Sequence, residues 1–176
     1  KAGDFLSDIA TNPAGDYTRW TTYPVKVFVE PGHEEWAKFV KQGVNEWTQY
    51  VPMTYISDAD AADIQIYRVA PIPGISGAAS PDFYTDDRGT LQHRVTIVLS
   101  LFQSLPEVTT VTRHEIGHAL GLWGHTANPL DLMYGGNHAE ATGNRRVLRV
   151  APISKHDINT LKRVYEQPTL IGQQGS

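Results

Sequence analysis

His114-Glu115-Ile116-Gly117-His118-Ala119-Leu120-Gly121-Leu122-Trp123-Gly124-His125 is the stretch from which the rest of the chain can be read. Histidines four apart lie on one face of an α-helix, about one turn from each other along its axis. His114 and His118 can therefore present two imidazoles to one metal ion, and neutral imidazole nitrogen suits Zn²⁺. Glu115 stands beside the first of them, within reach of a water on the metal. A catalytic zinc keeps about three protein ligands and one open position. Gly121 lets the backbone leave the helix through left-handed angles that other residues avoid. The turn after it can bring His125 back as a third ligand.

Upstream, Ser104-Leu105-Pro106-Glu107 reads as the start of this helix. Ser104 is the N-cap, Glu107 closes a capping box, and Pro106 is tolerated in the first turn. Val108, Val111, Ile116, Ala119 and Leu120 supply the apolar face. Val25-Lys26-Val27-Phe28-Val29 reads as a strand. Apolar residues at Trp36, Phe39, Val40, Val44, Trp47 and Val51 are spaced by threes and fours, which predicts an amphipathic helix ended by Pro52. Met53 to Ile56 and Asp63 to Arg68 are further strands. The run Leu91 to Leu99 suits a strand covered on both faces. Strand, helix, strand, strand is the order of an α/β sheet with right-handed crossovers. Between Ala70 and Thr90 lies a long loop, in which Pro81 is compatible only with an edge strand. After His125 no period is visible until the short Val147-Leu148-Arg149-Val150. Ser154-Lys155-His156-Asp157 then opens a last helix, with Ile158, Leu161, Val164 and Tyr165 as its stripe and Pro168 as its end.

The 176 residues make one ordinary domain, with 40% hydrophobic and 19% charged residues. Net charge is −4, from 15 basic and 19 acidic residues. That argues against nucleic-acid binding, which needs a basic surface. No apolar run approaches the ~20 residues of a membrane span. Cysteine is absent, so neither disulfides nor a thiolate ligand enter; this is compatible with secretion. No apolar signal segment opens the chain, so the expectation is a start after processing.

The run His114 to His125, followed by Asp131-Leu132-Met133-Tyr134, resembles the metzincin zinc endopeptidases. His118-Ala119-Leu120-Gly121-Leu122 with that Asp-Leu-Met-Tyr is similar to their matrixin branch, especially bacterial, cyanobacterial-type members. Those also carry the tryptophan and an ending like Ile158 to Pro168. The resemblance is specific over residues 105–168 and looser over 20–100. It implies a metzincin-like α/β fold: a twisted mixed five-stranded sheet with one antiparallel edge strand, two long helices, and a lower part with a methionine turn and a final helix. The implied divisions are an arm, 1–22, read as a residual pro-segment near the cleft or a mobile terminus; a catalytic domain, 23–168, divided at 121/122; and a tail, 169–176.

The resemblance further implies one zinc on His114, His118 and His125, with Glu115 as general base for a zinc-activated water. Met133 would form a hydrophobic floor beneath the metal, and Asp157 would bond backbone groups of the methionine turn. Ala78, Ala79 and Ser80, on an edge strand reaching Tyr84, would border the cleft and pair with substrate. Tyr134 would stand at its rim without binding zinc, and residues 135–151 would form the far wall. The implied partners are protein or peptide substrates, met by a monomer that is secreted or otherwise extracytoplasmic. The loop 70–90 holds no histidine, so a second zinc is not expected. Asp82, Asp86 and Asp87 are oxygen donors that could take Ca²⁺, although three acids in a loop are commonly just solvated. Arg145, Arg146 and Arg149 read as a solvated face. His33, His93, His138 and His156 read as surface or ordinary polar residues.

One departure stands out. The usual metzincin spacing is HExxHxxGxxH; here the third histidine comes one residue later. A bulge at Leu122 to Gly124 would restore it, with Gly124 taking backbone angles closed to other residues and Trp123 pinning the bulge. Alternatively Glu140 takes the third place, as in gluzincins, whose second helix Asn137 to Glu140 faintly resembles. A third possibility is a zinc-binding module without turnover. Gly121, the Asp-Leu-Met-Tyr turn and the glycines of 135–143 favour the first reading, and the intact Glu115 argues against the last.

Overall fold

The computed structural model describes residues 3–101, 103–135, 139–142, 145–148 and 152–175, the two short stretches 139–142 and 145–148 by their backbone alone. Strands β1 (Val25–Val29), β2 (Met53–Tyr55), β3 (Ile64–Val69), β4 (Gly77–Thr85) and β5 (Leu91–Ser100) form one sheet in the order β2-β1-β3-β5-β4. All neighbours are parallel except β4 and β5. The sheet is therefore mixed, with β4 as the antiparallel edge strand. Helices α1 (Glu34–Asn45) and α2 (Leu105–Leu120) cover it, α3 (Lys155–Tyr165) closes the lower part, and β6 (Ala139–Thr142) pairs with β7 (Arg145–Leu148) as a separate hairpin.

Alternation decides which strand residues form the core. Val25, Val27, Ile64, Ile66, Val95, Ile97 and Leu99 are fully buried on the sheet, against Val40, Val44 and Trp47 from α1 and its continuation. The two helices cross closely at Gly43, where a Cβ would stand 2.8 Å from the carbonyl oxygen of Thr109. The Trp47 indole N–H donates to the carbonyl of Arg113 at 3.0 Å. An aromatic of the first helical segment thus pins the residue before the first histidine of the motif.

The edge strand expected within the long loop is β4, nine residues with Pro81 opposite Val95, as an edge position allows. Two expectations need correction. The α1 helix stops at Asn45 and its apolar spacing continues through turns. There the Thr48 hydroxyl bonds back to the Asn45 carbonyl at 2.7 Å, a local bond that competes with the helical ladder. And β5 is covered fully on one face only, since buried His93, Val95, Ile97 and Leu99 alternate with more exposed neighbours.

The stretches at either end belong to the same core. Phe5, Ile9 and Trp20 are buried. The Phe5 N–H donates to the Thr160 hydroxyl, and the Trp20 indole N–H to the carbonyl of Ala119 at 2.8 Å. After α3, Leu170 donates to Tyr17, and Gln173 and Gly172 exchange backbone bonds with Leu91. The described part of the segment before β1 is thus packed against the core.

His93 is the other correction. Only 2% of it is exposed. Its ring stacks on Trp20 at 3.9 Å and faces Phe83 at 6.1 Å. Among the described residues neither ring nitrogen has a hydrogen-bond partner, and burial pushes its pKa down to about 4. The signal was present in the sequence, because residue 93 shares its alternation with Val95, Ile97 and Leu99.

A depressed histidine pKa disfavours the folded state in acid, because the unfolded chain takes up its proton first. Stability is therefore expected to be complete above about pH 6.5 and to fall as pH drops towards 4, by about 2–3 kcal/mol from this residue. Urea unfolding at both ends of that window checks it: His93→Leu should lose less stability on acidification than the parent.

Candidate metal centre

The α2 helix begins where Ser104 accepts the Glu107 N–H at 3.4 Å and ends at Gly121, whose φ is +135°. There the Gly121 N–H returns to the His118 carbonyl at 2.9 Å and the Leu122 N–H to the Gly117 carbonyl at 3.0 Å, the paired bonds of a Schellman turn. That turn points the Leu122 carbonyl back at the helix. It accepts from His118 Nδ1 at 2.6 Å and from the Gly124 N–H at 2.9 Å. Leu122 to Gly124 thus form a tight loop between the helix and His125. Beyond it the Thr126 N–H donates to the Met133 carbonyl at 3.0 Å and the Gly135 N–H to the Thr126 carbonyl at 3.3 Å, closing a loop that fixes His125.

The outcome is convergence. His114, His118 and His125 each offer a ring nitrogen, and these atoms all lie within 4.8 Å of one another. His114 Nδ1 contacts the Leu132 carbonyl at 2.8 Å. A carbonyl only accepts, so Nδ1 carries the hydrogen in both His114 and His118, and Nε2 keeps its lone pair for a metal. The donor set therefore fits zinc. Among the described residues this is the one group of three or more such side chains able to hold a metal.

Asp131 points elsewhere. It is buried and accepts from the Ser154 hydroxyl at 2.7 Å and the Thr126 hydroxyl at 3.2 Å, with His156 Nδ1 at 3.2 Å. The backbone at Ala139–Thr142 is strand, not the helix of the gluzincin alternative. The side chains of Glu140, Arg145 and Arg146 lie outside the described residues, as do Asn137, His138 and Arg149.

Gly124 serves a different purpose from the one expected. It is absent from the glycines with positive φ. A Cβ on it would stand 2.0 Å from the carbonyl oxygen of Asp8, and the Ala10 N–H donates to the Trp123 carbonyl at 2.9 Å. The N-terminal segment thus braces the turn from behind. The Trp123 ring lies parallel to that of His118 at 5.9 Å.

Met133 is fully buried. A Cβ on Gly117 would stand 2.5 Å from its sulfur. The glycine inside HExxH is therefore what admits the methionine beneath the helix, a requirement the sequence reading missed. Asp157, also fully buried, receives the N–H groups of Leu132 at 2.8 Å, Met133 at 3.2 Å and Ser154 at 2.7 Å. Burial pushes its pKa up, and those amides oppose the shift.

Glu115 is 6% exposed, and burial lifts its carboxyl to about 7. Burial, then the neighbouring imidazoles, take His118 down to about 3, opposed by its bond to Leu122. A cation on the three rings would draw Glu115 back down. These residues line a cleft of about 470 Å³, bordered by residues 74–79 and by Tyr134. Ala78 and Ala79 are among the residues that line it; Ser80 is exposed and is not, and the lining runs back to Gly74. Asp86 accepts from Arg88, Thr90 and Gln92 at the β4–β5 turn. Among the described residues it does not gather with Asp82 and Asp87 into a metal-holding group.

No family model matches the chain, and neither does any curated protein. Solved structures do. One of myroilysin has a TM-score of 0.52 at 14% identity, covering 85% of this chain and 96% of its own. Another has a TM-score of 0.52 at 15% identity, covering 91% and 99%. The likeness is one of fold, and the architecture is the zincin-like one.

Two outcomes are expected. Asp157→Ala strands three amides and should cost about 3 kcal/mol or more in urea unfolding, with zinc affinity reduced about tenfold or more in chelator competition. Unchanged affinity would leave only its helix-capping role. Gly124→Ala drives a methyl into the Asp8 carbonyl and should weaken zinc binding about tenfold; a folded variant with parental affinity would rule out the brace.

Proposed function

We propose that this chain is a zinc-dependent endopeptidase of the matrixin-like kind, cleaving protein or peptide substrates in the cleft between β4 and α2. The observation that carries the reading is the convergence of His114, His118 and His125 on one point, beside a buried Glu115. His125, not Glu140, is taken as third ligand because its ring already stands with the other two. Zinc held there would supply Lewis acidity, acidifying water and polarising a carbonyl.

The remaining steps belong to the protein. Glu115 takes the proton of the attacking water and passes it to the departing amine, so that no charged amide nitrogen has to leave. Burial keeps that carboxyl from being swamped by bulk water and pushes its pKa up, while a cation on the three rings would pull it back towards the ionised form that accepts the proton. Gly77, Ala78 and Ala79 lie on an edge strand beside the cleft. Their backbone can pair with an extended peptide and hold the scissile bond over the site. Met133 fills the space under the helix, which keeps the two α2 ligands from sinking away from the third.

The test is cleavage of an unfolded protein with and without a zinc chelator, by the parent and by Glu115→Gln. Chelation should abolish turnover and zinc should restore it. Glu115→Gln should keep its zinc and thermal stability but lose about 10²–10⁴-fold in rate. Near-parental cleavage by the zinc-loaded variant would overturn the assignment; no cleavage by the parent would reduce the chain to a metal-binding module.

A further inference from the structure

Just before β4 the chain makes a turn, Ile72-Pro73-Gly74-Ile75. The Ile75 N–H donates to the Ile72 carbonyl at 3.0 Å, and Gly74 has φ +76°. Proline second and a left-handed glycine third make this a type II turn, a stiff one. It holds two large aliphatic side chains out into solvent, each 45% exposed. Its base is tied down, since the Ser76 carbonyl accepts from the Ser100 N–H at 3.1 Å and the Gln103 side-chain amide at 2.8 Å. Gly74 and Ile75 line the same cleft as the three histidines. On the other side Ile72 and Ile75 lie with Val69 and Val98 around a small apolar void.

Exposing two isoleucines on a rigid turn costs solvation that a polar turn would avoid, and apolar surface continuous with a cleft marks a binding region. The rest of the lining agrees. Among the described residues, no lysine or arginine lines the cleft, and Glu115 supplies its one carboxylate. We infer that the Ile72–Ile75 turn is a specificity element: it receives a bulky aliphatic or aromatic side chain of the polypeptide lying along β4, outside the position of the scissile bond. The inference rests on the peptidase reading above. The turn is preformed, so little ordering entropy is lost when a side chain docks.

The test separates the turn from the chemistry by measuring binding without turnover. A single leucine is walked through a fluorescently labelled serine- and glycine-rich peptide, and the affinity of each member for zinc-loaded Glu115→Gln protein is read by anisotropy. One leucine position is expected to bind about tenfold tighter than the leucine-free peptide, and that preference should vanish when Ile72→Ser and Ile75→Ser are added. A preference that survives both substitutions, or no preference at any position, overturns the inference. Hydrolysis of the same peptides by the otherwise unaltered enzyme runs beside it. Binding preference without cleavage would sink the peptidase reading and leave the turn's role standing; cleavage with an unchanged leucine preference in Ile72→Ser/Ile75→Ser would do the reverse.

Discussion

A single buried carboxylate organises the lower half of this molecule. Asp157 faces backbone amides, and its charge is met by the N–H groups of Leu132, Met133 and Ser154. An isolated carboxylate in the interior is costly, and hydrogen bonds that favour its charged form are what make it tolerable. The consequence runs outward through the peptide chain. Holding Leu132 by its N–H fixes the carbonyl that grips His114, and holding Met133 fixes the carbonyl that receives Thr126, next after His125. His118 is gripped independently by Leu122. The rings of His114 and His118 are oriented by backbone that something else holds, and the backbone beside His125 is tied down as well, which limits the reorganisation that metal binding otherwise demands.

What was legible in the sequence is what is local. The α2 cap at Ser104, its stop at Gly121, the capping box of Ser154 and Asp157, and the alternation of the central strands depend on neighbours within a few residues. The spacing that puts His114 and His118 on one helix face is local in the same sense. What escaped depends on partners far along the chain. Gly124 looked like a residue needing unusual backbone angles, yet it makes room for the carbonyl of Asp8, more than a hundred positions earlier. Gly117 looked like one of the free positions of HExxH, yet its missing side chain is the space that Met133 fills. His93 is polar by type, yet its place in the alternation of β5 is that of a core residue.

The turn from Leu122 to Gly124, which leads from the helix to His125, is restrained from both sides. The Leu122 carbonyl is shared between His118 and Gly124, and the Trp123 carbonyl is taken by Ala10. Part of that restraint comes from a distant part of the chain.

That geometry has a consequence in time. The centre draws on Asp8 and Ala10, on the helix and turn from His114 to His125, and on Asp157, so its parts are separated by most of the polypeptide. Contacts between such distant segments carry the largest loop-closure penalty and form late. During synthesis the motif helix emerges before α3 exists. At that stage the carboxylate that receives the Leu132 and Met133 amides in the folded protein is missing. A nascent chain would carry HExxH in full and still lack part of the arrangement around it, which is completed when the last helix docks.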